Sequence, residues 1–523
     1  MSGATPPPEQ PEYLELGRRP REHKPRGGLG TGIVVAIVVA LMVPLGAFAA
    51  FRLLGGGGTQ PHDVLPANAI GYFRIDVDPS APEKIEAMRF LRTFPAFEKY
   101  TRIDDDRADI RRVVFDAMLD HTPCQVDYED DVAPWLGERL GVAVTPPAGS
   151  AVEPGFAVAV QVSDEQAASR GLDKLRACDA GNSPAGGWTS LDGYMIVSET
   201  QGKAEAHVAA AEQRPLADDE QFRSDMDRLG DQGVASLWFS GEGIYRAFAT
   251  DEAFGPMDDQ RRRQVDQSYR SGAVAFRFDD RYVELATVLT GSAYEESDDG
   301  AVADMALPES TAVALGFADG EGYVDEQWDM MLGGDPGMGQ QIERELGLEL
   351  PADLRTVFGE SFTLALDGED LDLRALGSAG PSALDLGVRV RTDPAELTRI
   401  VQRLEAKARQ SGFPLDLVVE ESDAGVVAAL NRAYASELTE TGSLADTDKF
   451  QTAVPDADEA QAVFFVDFDA LEKPALEMMR QAAATGAAPG ELEDNLTRIE
   501  AFGASGSNHD GYAEGAFRIT VAD

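Results

Sequence analysis

Residues 235–240 read ASLWFS, and residues 462–467 read AVFFVD, 227 positions later. Both are short apolar runs of strand character. Four further pairs of segments recur in the same order around them. Val64-Leu65-Pro66-Ala67 returns as Ala306-Leu307-Pro308-Glu309, an offset of 242. Trp135-Leu136-Gly137-Glu138 returns as Val357-Phe358-Gly359-Glu360, an offset of 222. Leu216-Ala217-Asp218 with Phe222 returns as Leu444-Ala445-Asp446 with Phe450, an offset of 228. Tyr282-Val283-Glu284 returns as Tyr512-Ala513-Glu514, an offset of 230. Offsets that drift between 222 and 242 are what small insertions produce, so the chain is expected to carry an internal duplication.

The local patterns around these pairs set the fold class. Ile70–Val77 alternates apolar and polar residues, as a half-buried strand does. Leu140, Val142 and Val144 share one strand face, as do Phe362, Leu364 and Leu366. Val274, Phe276 and Phe278 share another, before Asp279-Asp280-Arg281 turns the chain into Tyr282–Leu289. Phe517, Ile519 and Val521 line the last strand. Ile110, Val113, Val114, Ala117 and Met118 are spaced as the apolar stripe of a helix. Phe156–Val162 reads as a strand followed by a helix over Glu165–Cys178, and Leu386–Arg391 followed by Pro394–Ala408 is its counterpart. The strand–helix rhythm is too irregular for a doubly wound fold. The expected class is α+β: an N-terminal transmembrane helix, then two tandem related α+β repeats with mainly antiparallel sheets. Residues 64–292 form the first repeat, 293–305 an acidic linker and 306–523 the second repeat.

Upstream, residues 33–51 read IVVAIVVALMVPLGAFAAF, 19 positions without a charge. At 1.5 Å rise per residue this just crosses a hydrocarbon core of about 30 Å. The transmembrane helix is placed at 31–54, with Gly55–Gly58 opening a flexible tether over 55–63. Arg18, Arg19, Arg21, Lys24 and Arg26 lie before it, in a Pro- and Glu-rich tail (1–30) of disordered composition. The positive-inside tendency therefore places the N-terminus in the cytoplasm and the large domain outside it, in a single-pass protein of the cell membrane. Ala47-Phe48-Ala49 also has the small-x-small form of a signal-peptide cleavage site. Both readings export everything after Gly55, and an uncleaved anchor is the one expected.

Charge and cysteine content narrow the function classes. The net charge is −47, and 39 basic face 88 acidic residues beyond Gly55. Such a surface repels nucleic acid and anionic headgroups, so no nucleic-acid partner is expected. Cys124 and Cys178 are the two cysteines, and export makes a disulfide between them the expected state. The histidines (His23, His62, His121, His207 and His509) have no metal-ligand spacing among themselves or with the cysteines. The chain has no phosphate loop and no nucleophile elbow. Acidic runs at Asp104–Asp106 and Asp127–Asp131 lack the spaced oxygens and glycine of a helix–loop–helix calcium site, and read as solvated acids. No catalytic, cofactor or metal residue is nominated. The duplicated positions Gly137, Glu138, Gly359, Glu360, Tyr282, Glu284, Tyr512 and Glu514 are the residues singled out. Glu138 and Glu360 are read as strand-edge charges that limit wrong pairing, or as lining an interface between halves.

The same layout carries a resemblance. A basic tail, one span and a glycine tether lead to Val64-Leu65-Pro66-Ala67-Asn68-Ala69 and a strand ending Asp76-Val77-Asp78-Pro79. This resembles the bacterial membrane-anchored family catalogued as domain of unknown function 3352, over about residues 60–523. The resemblance implies membrane association and brings no chemistry and no site residues.

The function expected is therefore a non-enzymatic interaction or scaffold module at the cell envelope, with a protein partner there. A module binding a lipid or other apolar ligand and a hydrolase with an unrecognised site are the alternatives.

Overall fold

Leu65 and Leu307, from the paired Leu-Pro motifs, are both completely buried and hold equivalent stations. The Leu65 carbonyl accepts from Leu216 N at 2.7 Å, and the Leu307 carbonyl accepts from Leu444 N at 3.0 Å. In each case the donor opens the Leu-Ala-Asp turn of the same half. The next apolar pair follows suit: Phe222 packs on Trp238 with ring centroids 5.5 Å apart, and Phe450 on Phe465 at 5.2 Å. Both contacts bury large rings, worth about 1.5–3 kcal/mol per side chain.

The computed structural model describes residues 59–522, apart from 77–80, 96, 98–110, 113–114, 116–125, 148–153, 179–185, 242–269, 293–301, 332–335, 370, 372–379, 413–414, 473–494 and 496. The tail, the expected span at 31–54 and the glycines at 55–58 therefore lie outside the described residues. So do Cys124 and the Cys178 side chain, the expected disulfide partners, and the Asp104–Asp106 run. Among the described residues no helix is long and apolar enough to cross a membrane.

The fold is α+β with one large antiparallel sheet. The first half supplies β1 (Gly71–Asp76), β2 (Leu136–Thr145), β3 (Gly155–Val162), β4 (Gly187–Leu191), β5 (Tyr194–Ser198), β6 (Ala235–Ser240), β7 (Ser271–Phe278) and β8 (Tyr282–Thr290). The second supplies β9 (Thr311–Phe317), β10 (Ser361–Asp367), β11 (Leu386–Arg391), β12 (Val418–Ser422), β13 (Gly425–Ala429), β14 (Ala462–Asp467), β15 (Ile499–His509) and β16 (Tyr512–Val521). All sixteen strands form a single sheet in the order β12-β13-β11-β10-β9-β14-β15-β16-β8-β7-β6-β1-β2-β3-β5-β4. Read outward from the centre, the two halves present their strands in the same order. They meet at β8 and β16, which pair antiparallel from Tyr282–Thr520 to Thr290–Tyr512. Ala286 lies opposite Ala516 at the middle of that pairing, 230 residues further on, the same offset as Tyr282 to Tyr512.

Helices cover both faces, because strands with apolar residues on both sides need two covers. On one face the helix Glu220–Leu229 buries Phe222, Met226 and Leu229 against Tyr72, Ala143, Trp238, Ala273 and Ala286. Asp219 caps it by accepting from Gln221 N and Phe222 N at 3.1 Å. Helices Arg432–Leu438 and Asp448–Ala453 cover the same face of the second half through Tyr434, Leu438 and Phe450. On the opposite face, helix Ala81–Arg92 packs Ala87, Phe90 and Leu91 on Ile75 and Phe278. There Glu165–Cys178 sets Ala168 beside Met195. In the second half, Phe358 at the end of helix Ala352–Phe358 meets Phe362 with centroids 4.9 Å apart. Pro394–Gln410 is expected from its pattern: Asp393 caps it, Pro394 preorganises its first turn, and Leu397, Ile400 and Val401 form its buried stripe.

Segment 59–65 lies on the first face as a strap. Thr59 O accepts from the Tyr194 hydroxyl at 2.8 Å. Pro61 sits over Gly141, where an added Cβ would collide with Pro61 Cβ. His62 wedges between Tyr72 and Phe222, at 6.0 and 5.3 Å between centroids. Beneath the strap, buried Asp76 lies between Arg74 (2.5 Å) and Arg139 (3.4 Å). Residues 303–307, which include the end of the stretch read as an acidic linker, pack into the second half: Ala303, Met305 and Leu307 are all in its core.

Candidate functional site at the seam

The β7–β8 hairpin places Arg277 opposite Glu284 on one sheet face, and the seam places Arg518 on the other side of the same carboxylate. Glu284 Oε1 accepts from Arg277 Nη1 at 2.7 Å, and Oε2 from Arg518 Nε at 2.8 Å. Its side chain is only 5% exposed, so both charge-assisted bonds are sheltered from water. Arg518 also lies over the Tyr282 ring, 4.0 Å from its centroid, and donates to Thr452 O at 3.1 Å. Thr452 belongs to the helix covering the second half, so Arg518 ties sheet, seam and helix together. Burial lifts the Tyr282 phenol above its ordinary range, against the opposing pull of Arg518.

At the other end of the seam, Arg228 lies over Tyr512 at 4.3 Å, and Tyr512 stacks on His509 at 4.5 Å. His509 Nε2 is 2.9 Å from Glu514 Oε1. Beside this stack, Asp225 is fully buried and accepts from Trp238 Nε1 (2.8 Å), Thr290 Oγ1 (2.7 Å) and Gln221 Nε2 (3.0 Å). A shallow depression of about 480 Å³ borders it, lined by Glu220, Arg223, Ser224, Asp227 and Arg228. Its lining residues are charged or hydroxyl-bearing, and Arg228 is shared with the stack on Tyr512.

The opposite face of the seam is apolar. Phe276, Leu285, Phe517, Ala504, Phe464 and Leu315 stand in one row across six neighbouring strands. Leu285 and Phe517, directly opposed across the seam, remain 38% and 36% exposed. Phe517 meets Phe502 edge-on with centroids 4.0 Å apart.

Of the recurring residues singled out in the sequence, Tyr282, Glu284, Tyr512 and Glu514 thus gather at the seam, whereas Gly137, Glu138, Gly359 and Glu360 do not. A Cβ on Gly137 would come within 2.8 Å of Gln161 O, and one on Gly359 would collide with Arg391 O. Each glycine lets its chain pass close to the neighbouring strand. Glu138 and Glu360 are exposed at those sheet ends. Sequence reading passed over Arg277 and Arg518. Arg277 was legible, since it and Glu284 flank the hairpin turn symmetrically and must face each other. Arg518, 234 residues from Glu284, had no such signal. Among the described residues, no three His, Cys, Asp or Glu side chains are set to hold a metal ion.

Residues 31–213 match a family described as "Protein of unknown function (DUF3352)". That match supports the resemblance carried by the motif at 64–79. No curated protein matches the chain. Two solved structures titled as crystal forms I and III of TP0453 are similar at 11% and 13% identity, with TM-scores of 0.21 and 0.22. They cover 45% and 47% of this chain and 80% and 89% of theirs. Nothing about fold or function follows at that level.

Proposed function

We propose that this chain is a membrane-held, extracytoplasmic interaction module that works through the apolar face of its seam. One observation carries the reading: a row of apolar side chains runs unbroken across the centre of the sheet and opens to solvent at Leu285 and Phe517. Leu285 and Phe517 stand side by side, an arrangement suited to an apolar anchor from a protein partner. The span at 31–54 supports membrane retention, and the basic tail before it supports a cytoplasmic N-terminus.

The halves 64–292 and 306–523 are further read as products of duplication. The common strand order, the matching Leu65–Leu216 and Leu307–Leu444 bonds, and the pairing of Ala286 with Ala516 support this. An experimental structure in which β1–β8 and β9–β16 fail to superpose strand for strand would refute it.

The interaction reading is tested with a photoreactive residue at Leu285 or at exposed Asp192 of the full-length chain in intact cells. Adducts to a discrete protein from Leu285 alone are expected. Lipid adducts from Leu285 would favour the apolar-ligand alternative, and identical patterns from both positions would refute a seam surface.

A further inference from the structure

The segments that lead into the two halves hold equivalent stations but are fastened differently. His62 stands three residues before Leu65, and Asp304 three before Leu307. In the second half, Asp304 Oδ1 meets the buried Arg389 guanidinium at 2.9 Å. The Asp304 carbonyl accepts from Thr363 Oγ1 at 2.9 Å, and Ala306 O accepts from Arg389 Nη2 at 3.0 Å. Ala303 N donates to Ala460 O at 2.8 Å. An ion pair and a set of hydrogen bonds therefore fix 303–306 to the body of that half.

In the first half the same place holds an aromatic wedge. The His62 side chain is 15% exposed and sits between the Tyr72 and Phe222 rings. The Tyr72 hydroxyl is 3.5 Å from Nδ1, at the outer limit of a hydrogen bond. Asp63 Oδ1 lies 4.0 Å from Nε2, and the other Asp63 oxygen is engaged by Gln60 N at 2.6 Å. Arg74 on β1 is the other charge acting on the ring, and it repels a protonated one. Asp76 and Arg139, beneath the strap, are paired with each other, and Asp76 also with Arg74. Burial pushes the Tyr72 phenol far up, so it stays neutral, and Phe222 brings no charge from the helix side. A proton on His62 thus enters an aromatic cleft with a guanidinium nearby and its carboxylate beyond hydrogen-bond distance. Burial holds the imidazole below its ordinary value, with Asp63 opposing and Arg74 adding to the effect.

We propose that segment 59–63 is an acid-released clasp: protonation of His62 lifts it from Tyr72, Phe222 and Gly141, while 303–307 stays seated. Val64 and Leu65 are completely buried and form the fixed end from which it swings. Residues 302–307 contain no histidine, so the second segment carries no side chain that ordinarily titrates between pH 5 and 8. The released clasp adds five extended residues, about 17 Å, to the chain that leads from the domain toward 31–54. That gain in reach rests on the membrane-held reading above; the clasp itself does not.

The test is hydrogen exchange of the full-length chain in detergent at about pH 7.5 and 5.5, corrected for the intrinsic effect of pH. The Gln60, Asp63 and Val64 amides are all bonded within the clasp, so its release frees them. A histidine free to titrate near 6.5 favours the released form by up to about tenfold at pH 5.5. Exchange of peptide 59–65 should rise toward that factor in the wild type and stay flat in His62→Phe and in His62→Gln, neither of which can take up the proton. Peptide 303–307 should stay flat in all three, and either variant suffices if the other misfolds. An unchanged wild-type peptide 59–65 overturns the clasp. So does an equal rise in the variants, or an equal rise at 303–307, which would mark general loosening. The exchange is read on the domain, so a failure of the membrane-held reading leaves this result intact.

Discussion

Replacing Glu284 by Ala tests whether the seam ion cluster holds the two half-sheets together. The substitution removes two short charge-assisted bonds and leaves Arg277 and Arg518, 24% and 16% exposed, with no carboxylate between them. Removing one partner of a buried ion pair costs about 3–5 kcal/mol. The partial access of both guanidiniums to water brings the expected loss below that range, to about 2–3 kcal/mol. At 1.36 kcal/mol per decade this is roughly a 30- to 150-fold rise in local opening. Native-state hydrogen exchange of the full-length chain reads it directly. Amides paired between β8 and β16 should lose protection by that factor, and the β4–β5 hairpin at the sheet edge should keep its own. Replacing the whole trio by apolar residues of similar size (R277M, E284L and R518M together) should restore most of the loss, because no charge is then left without its partner. Unchanged seam protection in E284A, or an equal loss at β4–β5, would show that the seam is not held by these ions.

Two further outcomes follow from the strap. His62 is held below its ordinary value mainly by burial, with Arg74 adding to the depression and Asp63 opposing it. The unfolded chain therefore binds a proton more readily than the folded one, so stability should be intact above about pH 6.5 and fall as the pH drops below it. His62→Phe should remove that part of the acid sensitivity in thermal unfolding between about pH 5 and 7.5; an identical slope in both proteins would exclude His62 as its source. Glu437 and Asp279, whose carboxyls are raised by burial and neighbouring acids, change stability in the opposite sense, so the comparison must be between variants. Gly141→Ala forces a Cβ against Pro61 and should cost about 1–3 kcal/mol. It should be seen as faster exchange at Val64 and Leu65, and no change there would mean the strap is not seated by this contact.

Much of the local structure was legible because it depends on neighbours in sequence. The apolar run Phe156–Val162 announces a strand covered on both faces, and the stripe Leu397, Ile400, Val401 announces the buried face of a helix. The glycines beside Glu138 and Glu360 stood out as repeated, but their cause, close passage of a neighbouring strand, is a matter of distance in space. The candidate sites were harder to see for the same reason. Glu284 was visible as part of a repeated tripeptide, yet its meaning came from Arg518, 234 residues away.

By itself the sequence determined the α+β class, the export signal at 31–54 as an expectation, the acidic charge and the five recurring motifs, since composition and short-range periodicity are properties of the chain alone. The tertiary structure decided that the two halves share one sheet, because backbone edges pair only when brought together, and nothing in β8 or β16 alone says which partner each will find. It also decided which apolar row stays open at Leu285 and Phe517, since burial is a sum over neighbours that the linear order does not contain.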